Sequence, residues 1–510
     1  MERNRGAAWW ALGLFLAAAL YIAWNSAARF GDNIDEGIYL DGGLRLARGQ
    51  MLYRDFFTYL APGTFAALAA LFRTFGESLA AARVPVTVDL ALMTALVFVL
   101  VDRLATRRAA IGVAACYLIF QTFNPNFVVA NHRWDSSALS LAAVTCAFLL
   151  LERASHWWAA GAGICAALAA WTTFSFALLC LVMAAWLLYD RGLRRYVVTY
   201  AAAAGVISAA FLSWLAWNHA LLPMLQGILW SARNYSGPNR TVYGYVIGGY
   251  GDLFQRAGPI ESALLSLMLL LVTLPATMPL ICAAGWPLRL RAHPERRIVF
   301  LLISSAAILV STWPRPDMTH LMYISALPYV LTTVLLARTL GRHGQAVVAA
   351  LVLVSAACET GFSVYYRIKE PTLATRVGVL HGKPEHLAVL RTIQAQVSSN
   401  QTLFVFPYWP VFYFTTGARN PTRFSYLQPG MFPKQDEDEV LRALSAHPPH
   451  AVIYRPVAPA SYLRIWPSSN PARLQMTEIE EFLHNRYRVA AREGKFQILR
   501  PAPLTPPLTP

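Results

Sequence analysis

Three short stretches carry the residues able to do chemistry. The first, "GDNIDEGIYLDGGLRLARGQMLYRDFF", gathers Asp32, Asp35, Glu36, Asp41 and Asp55 in a chain that is only 14% charged. The second, "NPNFVVANHRWDSSALS", brings Asn131, His132, Arg133, Trp134 and Asp135 together, and the third, "STWPRPDMTHLMY", holds Arg315, Asp317 and His320. A carboxylate beside cations can take a proton from an attacking hydroxyl or amine. Arg and His, or a divalent metal held by carboxylates, can meet the charge on a leaving phosphate. In that division of labour Asp35 is the base, with Glu36 beside it as a second catalytic candidate. His132, Arg133, Arg315 and His320, with Asp135, are the candidates for the phosphate side, and Glu36 with Asp135 for a divalent ion, Mg or Mn. Asp35, Glu36 and Asp135 can hold such an ion or act through hydrogen bonds alone, and the sequence leaves both open.

These clusters have to be positioned by a membrane protein. Of the 510 residues 56% are hydrophobic, with a mean hydropathy of +0.42, and the apolar residues recur in long uncharged runs. A span needs about 20 apolar residues. Candidates lie near 7–28, 80–103, 109–123, 136–151, 157–172, 174–189, 195–217, 260–285, 297–313, 319–338 and 345–365. The expectation is therefore an α-helical polytopic protein with about 11 spans. "PGTFAALAALFRTFG" (62–76) is short, with Phe65, Leu68, Phe72 and Phe75 in one stripe around Arg73, and reads as a helix lying in the interface. With that reading, the clusters Arg3/Arg5, Arg103/Arg107/Arg108, Arg191/Arg194/Arg195, Arg289/Arg291/Arg296/Arg297 and Arg338/Arg342 all fall on the cytoplasmic side. The N-terminus is then cytoplasmic and reads as a retained anchor. All three chemical clusters share the opposite face.

The formal charge of +16 follows from those loop arginines and does not point to nucleic acid. The six cysteines lie inside apolar segments without CxxC spacing, so neither a disulfide framework nor a thiolate metal site is expected. After residue 366 the composition turns to Pro, Lys and acids. Short β-type runs at 402–406, 451–454, 487–491 and 496–499 alternate there with helical patterns at 384–397, 435–446 and 476–485, and Glu493-Gly494 marks a hairpin turn. The domains read as 1–365 in the membrane, 366–500 as a small α/β unit outside it, and 501–510 as a disordered Pro-rich tail.

In the first loop, Asn33-x-x-Glu36 has capping-box spacing. Capping accounts for Glu36 but leaves Asp35 without a task. It also does not account for Gly37, Gly42 and Gly43, which disfavour a helix unless something approaches its backbone closely. Asp135 before Ser136 and Ser137 is a plausible helix cap, yet His, Arg and Asp together at a membrane boundary are unfavourable unless they face an aqueous cavity. The tyrosines of 217–254, Tyr235, Tyr243, Tyr245 and Tyr250, either mark the interface or stack on a sugar, and the sequence does not separate the two.

"NIDEGIYLDGGLRLARGQMLYRDFF", followed by a proline, an amphipathic stretch, "FG" and "AAR" leading into a span, resembles the first outer loop of GT-C glycosyltransferases. Protein O-mannosyltransferases and the lipid A aminoarabinose transferase are similar in pattern. The resemblance spans roughly residues 1–340 in organisation and is specific in the first loop. It implies an Asp-Glu pair at Asp35-Glu36, a second acid at Asp135, and inverting transfer of a sugar from a polyprenyl-phosphate carrier to a lipid, glycan or protein acceptor. The reaction would take place on the periplasmic face of the inner membrane, among membrane lipids. The aminoarabinose enzymes place a basic residue before the proline of the second interfacial helix. This chain has "YLAP" there, which shifts the phosphate contact to Arg54, Arg133 or Arg315. The rival readings are a transporter or lipid flippase, which Asp89 inside the second span favours, and a non-catalytic membrane subunit.

Overall fold

A backbone in lipid must satisfy its own hydrogen bonds, so apolar runs fold as helices. The computed structural model describes residues 2–31, 33–247, 254–255 and 257–502. In chain order the membrane part contains α1 (Glu2–Ser26), β1 (Arg29–Phe30), α2 (Ile34–Ala47), α3 (Gly63–Phe75), α4 (Leu79–Ala82), α5 (Val84–Leu104), α6 (Arg107–Thr122), α7 (His132–Glu152), α8 (His156–Thr172), α9 (Ala177–Tyr189), α10 (Val197–Trp217), α11 (Leu221–Asn234), α12 (Pro259–Val272), α13 (Leu274–Ala292), α14 (Arg296–Val310), α15 (Met318–Tyr323), α16 (Ala326–Thr339) and α17 (Arg342–Lys369). Five stretches of the described residues are long and apolar enough to cross a membrane: Gly6–Ser26, Leu79–Leu104, His132–Glu152, Arg194–Trp217 and Arg342–Lys369.

Two expected spans are broken. The run at 260–285 is α12 and α13, meeting at Thr273, because Pro275 in the first turn of α13 cannot donate to the preceding turn. The run at 319–338 is the short α15 followed by α16, with Pro328 in the first turn of α16. The first break separates two apolar helices; the second leaves His320 on a short helix of its own.

Beyond α17 the chain forms two small sheets. One has the order β1-β3-β2, with β2 at Thr372–Thr375 and β3 at Gly378–Gly382. Its edge strand β1 comes from the first loop and pairs parallel to β3, Arg29 opposite His381 and Phe30 opposite Gly382. The other has the order β4-β5-β7-β6, with β4 (Leu403–Phe406) parallel to β5 (Ala451–Tyr454) and β7 (Phe496–Pro501) antiparallel to both β5 and β6 (Tyr487–Glu493). The hairpin turns at Gly494, whose φ of 55° suits glycine. Helices α18 (Pro384–Gln396), α19 (Val411–Thr416), α20 (Lys434–Ala446), α21 (Pro459–Ile465) and α22 (Thr477–Arg486) complete this C-terminal unit. Residues 503–510, including nearly all of the expected tail, lie outside the described residues, as do Asp32 and Tyr250.

The buried apolar residues form two cores. One fills the bundle of α1, α5–α9, α13, α14 and α16. The other joins α2, α3 and the residues between them to the C-terminal unit. The packing boundary therefore does not follow the expected sequence boundary at 365, because α2 and α3 belong with the later chain. Gly37 makes the junction: a Cβ there would lie 2.4 Å from the backbone nitrogen of Val411 in α19. Further along α2, Asp41 accepts a hydrogen bond from Ser425, and Arg45 donates to the Thr422 carbonyl at 3.1 Å.

The start of α2 is fixed from inside. Asn33 caps the helix by accepting from the Glu36 N–H at 3.1 Å. The Glu36 carboxylate turns inward to Arg83, and both residues are 2% exposed. Arg83 places all of its N–H donors: two on Glu36, and the others on the carbonyls of Ser26, Val128 and Arg29. Glu36 also accepts from the Ala130 N–H at 3.1 Å. One guanidinium thus ties the end of α1, strand β1, helix α2 and the 126–130 segment together.

Removing one member of such a pair strands a buried charge, at about 3–5 kcal/mol. Arg83→Met is expected to lower the thermal midpoint of the purified protein sharply, and adding Glu36→Leu to recover at least half of the loss. An unchanged midpoint in the single variant would show that the pair holds nothing. Gly37→Val overpacks the junction with Val411 by about 1–3 kcal/mol. Limited proteolysis should then cut within the C-terminal unit sooner than in wild type; identical digestion rates would contradict the close contact.

Candidate active site

A cavity of about 600 Å³ opens where the two cores meet. Its lining comes from the start of α2, the segment leading into α7, Thr173–Ser175, the end of α11, the 313–320 segment and the C-terminal unit. Five of the expected site residues converge on it: Asp35, His132, Arg133, Arg315 and His320.

Asp35 occupies the first turn of α2, one residue before the inward-facing Glu36. Its side chain is exposed to the cavity and makes no hydrogen bond to any described residue. Protein encloses that space, so burial pushes the Asp35 carboxyl above its ordinary 3.8, against the opposite pull of His320, Arg315 and Arg133. The other described acids of the first loop are engaged: Glu36 with Arg83, Asp41 with Ser425, and Asp55 with Arg54 and the Met51 N–H.

The basic side chains differ in freedom. Arg133 follows Asn131, whose side chain caps α7 by accepting from the Arg133 N–H at 2.8 Å. One Arg133 Nη reaches the Ser311 carbonyl at 3.4 Å, while its buried Nε has no partner among the described residues. His132 is set by Thr173, 2.8 Å from Nδ1, and by the Tyr39 ring stacked 5.3 Å away. Arg315 is held on all sides: Asp317 at 2.7 Å, Asn239 at 3.4 Å and the Ile465 carbonyl at 2.8 Å. It links the bundle to the C-terminal unit. Asp317 caps α15 and accepts from His320 Nδ1 at 2.7 Å, leaving Nε2 as the free ring nitrogen. Although burial works against its charge, His320 and Arg315 hold the Asp317 carboxyl well below the usual carboxylate range.

Three expected site residues lie elsewhere. Glu36 faces Arg83 rather than the cavity, because the buried guanidinium needs a counter-charge. Arg54 is exposed, pairs with Asp55 at 2.8 Å and donates to the Asn218 carbonyl at 3.0 Å. Asp135 accepts from Thr64. Glu36 and Asp135 therefore do not form a shared cation site. Among the described residues no group of three or more His, Cys, Asp or Glu side chains is gathered as a metal would require. The groups that converge on the cavity are two arginines, two histidines and one free carboxylate, and the arginine and histidine N–H groups suit an anion. Asp89, the residue that favoured a transporter, lies in α5, and its buried Oδ2 has no hydrogen-bond partner among the described residues.

Sequence reasoning passed over several contributors. Asp317 was grouped with Arg315 and His320 but given no role, and it orients both. Arg83 enters the sequence reading only as the last residue of the "AAR" that leads into a span. Tyr59, Tyr408, Tyr426, Gln428 and Trp466 also line the cavity. Of the expected tyrosines Tyr235 does so, whereas Tyr243 donates to the Ala276 carbonyl and Tyr245 to the Arg464 carbonyl, each at 2.8 Å. A second, apolar cavity of about 440 Å³ runs between α6, α12 and α15, and Phe127, Ile247 and Thr319 border both spaces.

No protein-family model matches the chain, and no curated protein matches it. Solved structures do match. ArnT from Cupriavidus metallidurans, solved bound to undecaprenyl phosphate, aligns over 96% of this chain and 97% of its own, with 15% identity and a TM-score of 0.54. The Archaeoglobus fulgidus oligosaccharyltransferase, tethered with an acceptor peptide containing the NVT sequon, aligns over 94% of this chain and 72% of its own, with 12% identity and a TM-score of 0.54. The same archaeal protein, in complex with Zn and sulfate, aligns at 13% identity over 87% of this chain and 68% of its own, with a TM-score of 0.52. The chain has the GT-C fold that these structures share, as its first loop suggested.

Proposed function

We propose that this chain is an integral-membrane inverting glycosyltransferase. It moves a sugar from a polyprenyl-phosphate carrier to a lipid, glycan or protein acceptor on the periplasmic face of the inner membrane. The observation that carries this reading is Asp35, a free carboxylate enclosed in a cavity that it shares with Arg133, Arg315, His132, His320 and the already paired Asp317. The GT-C fold supports the reaction class, and the apolar cavity bordering the site suits an isoprenoid chain. In this reading about eleven helices span the membrane, the N-terminus is cytoplasmic, and the C-terminal α/β unit covers the site from the periplasm.

The steps follow from the geometry. Asp35 accepts the proton of the acceptor O–H or N–H as the acceptor oxygen or nitrogen attacks the anomeric carbon. The bond from that carbon to the phosphate oxygen breaks, and its electron pair stays on the phosphate. The free donors of Arg133, with His132 and His320, meet the growing negative charge. Arg315 acts chiefly as a brace, since its donors are engaged. Glu36 is a positioning residue: by holding Arg83 it fixes the first turn of α2, from which Asp35 projects. The charge on the phosphate is met by Arg and His, and no step uses a metal.

Asp35→Asn keeps the side chain's size and removes the base. Transfer from a radiolabelled polyprenyl-phosphate sugar is expected to fall by about 10²–10⁴-fold, with carrier binding retained. Full turnover in the variant would refute Asp35 as the base. The base works only when ionised, and burial raises its pKa. Activity should therefore rise with pH through a limb above the ordinary carboxylate value of 3.8. A limb at or below that value would place the base elsewhere.

A further inference from the structure

The C-terminal unit contributes a wall of the cavity that the transfer chemistry does not use. Tyr408, Tyr426, Gln428 and Trp466 line it, facing a space that Tyr59 and Tyr235 also border. Gln428 is 8% exposed, and its buried Nε2 has no hydrogen-bond partner among the described residues. The backbone beside it is pinned, since the Leu427 N–H donates to the Pro407 carbonyl at 2.7 Å. A buried amide N–H left unpaired is unfavourable, so a site that keeps one has a donor ready for a ligand's acceptor oxygen.

The rings around it are held in fixed orientations. Tyr408 packs against Trp466 with centroids 5.4 Å apart and stacks on Trp409 at 4.3 Å. Tyr59 stacks on Trp230 at 5.5 Å and lies 5.3 Å from Tyr235. Tyr235 and Tyr426 line the same cavity as Asp35, which places this wall beside the base. Rigid aromatic faces with a few fixed polar groups suit a small ring that has apolar C–H faces and hydroxyls on its rim. A saturated lipid tail would fill the space and leave the Gln428 N–H buried and unpaired.

We propose that this wall is a sugar-recognition subsite, in which Gln428 donates to a ring hydroxyl and the aromatic side chains border the ring faces. The assignment rests on the glycosyltransferase reading for its place in the reaction, but it is tested by binding alone. The ring can be the sugar carried by the donor or a sugar of the acceptor, and kinetics separates the two sources.

The full chain in lipid nanodiscs is titrated with methyl α- and β-hexopyranosides and methyl pentopyranosides, followed by saturation-transfer NMR. Thermal stabilisation by undecaprenyl phosphate is measured separately. Wild type is expected to bind at least one glycoside with a Kd of about 1–10 mM, the range of few-contact ligands. Gln428→Met should weaken that binding roughly 3–10-fold while the response to undecaprenyl phosphate persists. Gln428→Glu, which keeps the shape and loses the N–H donors, carries the test if the first variant folds poorly. In transfer assays a rise confined to the donor KM assigns the ring to the donor, and a rise confined to the acceptor KM assigns it to the acceptor.

Three results would overturn the subsite: no saturable glycoside binding by wild type, equal binding by wild type and both variants, or Gln428-dependent binding of N-acetylserine methylamide in place of the glycosides. Sugar binding without any response to undecaprenyl phosphate would instead count against the carrier reading and leave the subsite standing.

Discussion

A buried charge pair sets the geometry on which the site depends. Glu36 and Arg83 sit where α1 ends, β1 passes, α2 begins and the 126–130 segment turns toward α7. Every donor of the guanidinium has an acceptor there. Such a pair gains little over an apolar packing in net stability, but breaking it is severe. That asymmetry makes it a device for holding one arrangement. Because successive residues on a helix point about 100° apart, turning Glu36 inward to Arg83 directs Asp35 away into the cavity. The two neighbouring acids have opposite surroundings and opposite tasks.

A second set of contacts closes the space. Gly37 lets α19 lie directly against α2, Arg315 reaches from the bundle to the Ile465 carbonyl, and β1 extends the sheet of β2 and β3. The C-terminal unit is thereby a wall of the cavity. A carboxylate that would be well hydrated in an open loop becomes enclosed, and its basicity rises as a result.

The helices were legible because apolar runs of membrane length have few other ways to satisfy their backbones. Their breaks at Thr273 and Ser325 were harder to see, since Pro275 and Pro328 are ordinary residues inside long apolar runs. Asp35 stood out through its chemistry and its lack of a local task, and the glycines announced a close approach without naming what approaches. Arg83 and Glu36 are 47 residues apart in the chain, and Gly37 meets Val411 across several hundred. Partners so distant are set by tertiary packing, and residue type and spacing do not encode them. For the same reason Glu36, Arg54 and Asp135 stayed site candidates in the sequence. Their partners Arg83, Asp55 and Thr64 distinguish them. Gln428, Tyr408, Tyr426 and Trp466 lie in stretches with no chemical motif, and only the fold brings them to the cavity.

The central claim is that one free carboxylate does the chemistry. A single base permits one displacement at the anomeric carbon, whereas retention of configuration requires a second group to form a glycosyl intermediate. The most direct measurement is the anomeric configuration of the product, read by NMR after transfer from a polyprenyl-phosphate sugar of defined anomeric form. The account predicts a single inversion, β from an α-linked donor or α from a β-linked one. A product that keeps the donor's configuration would contradict it.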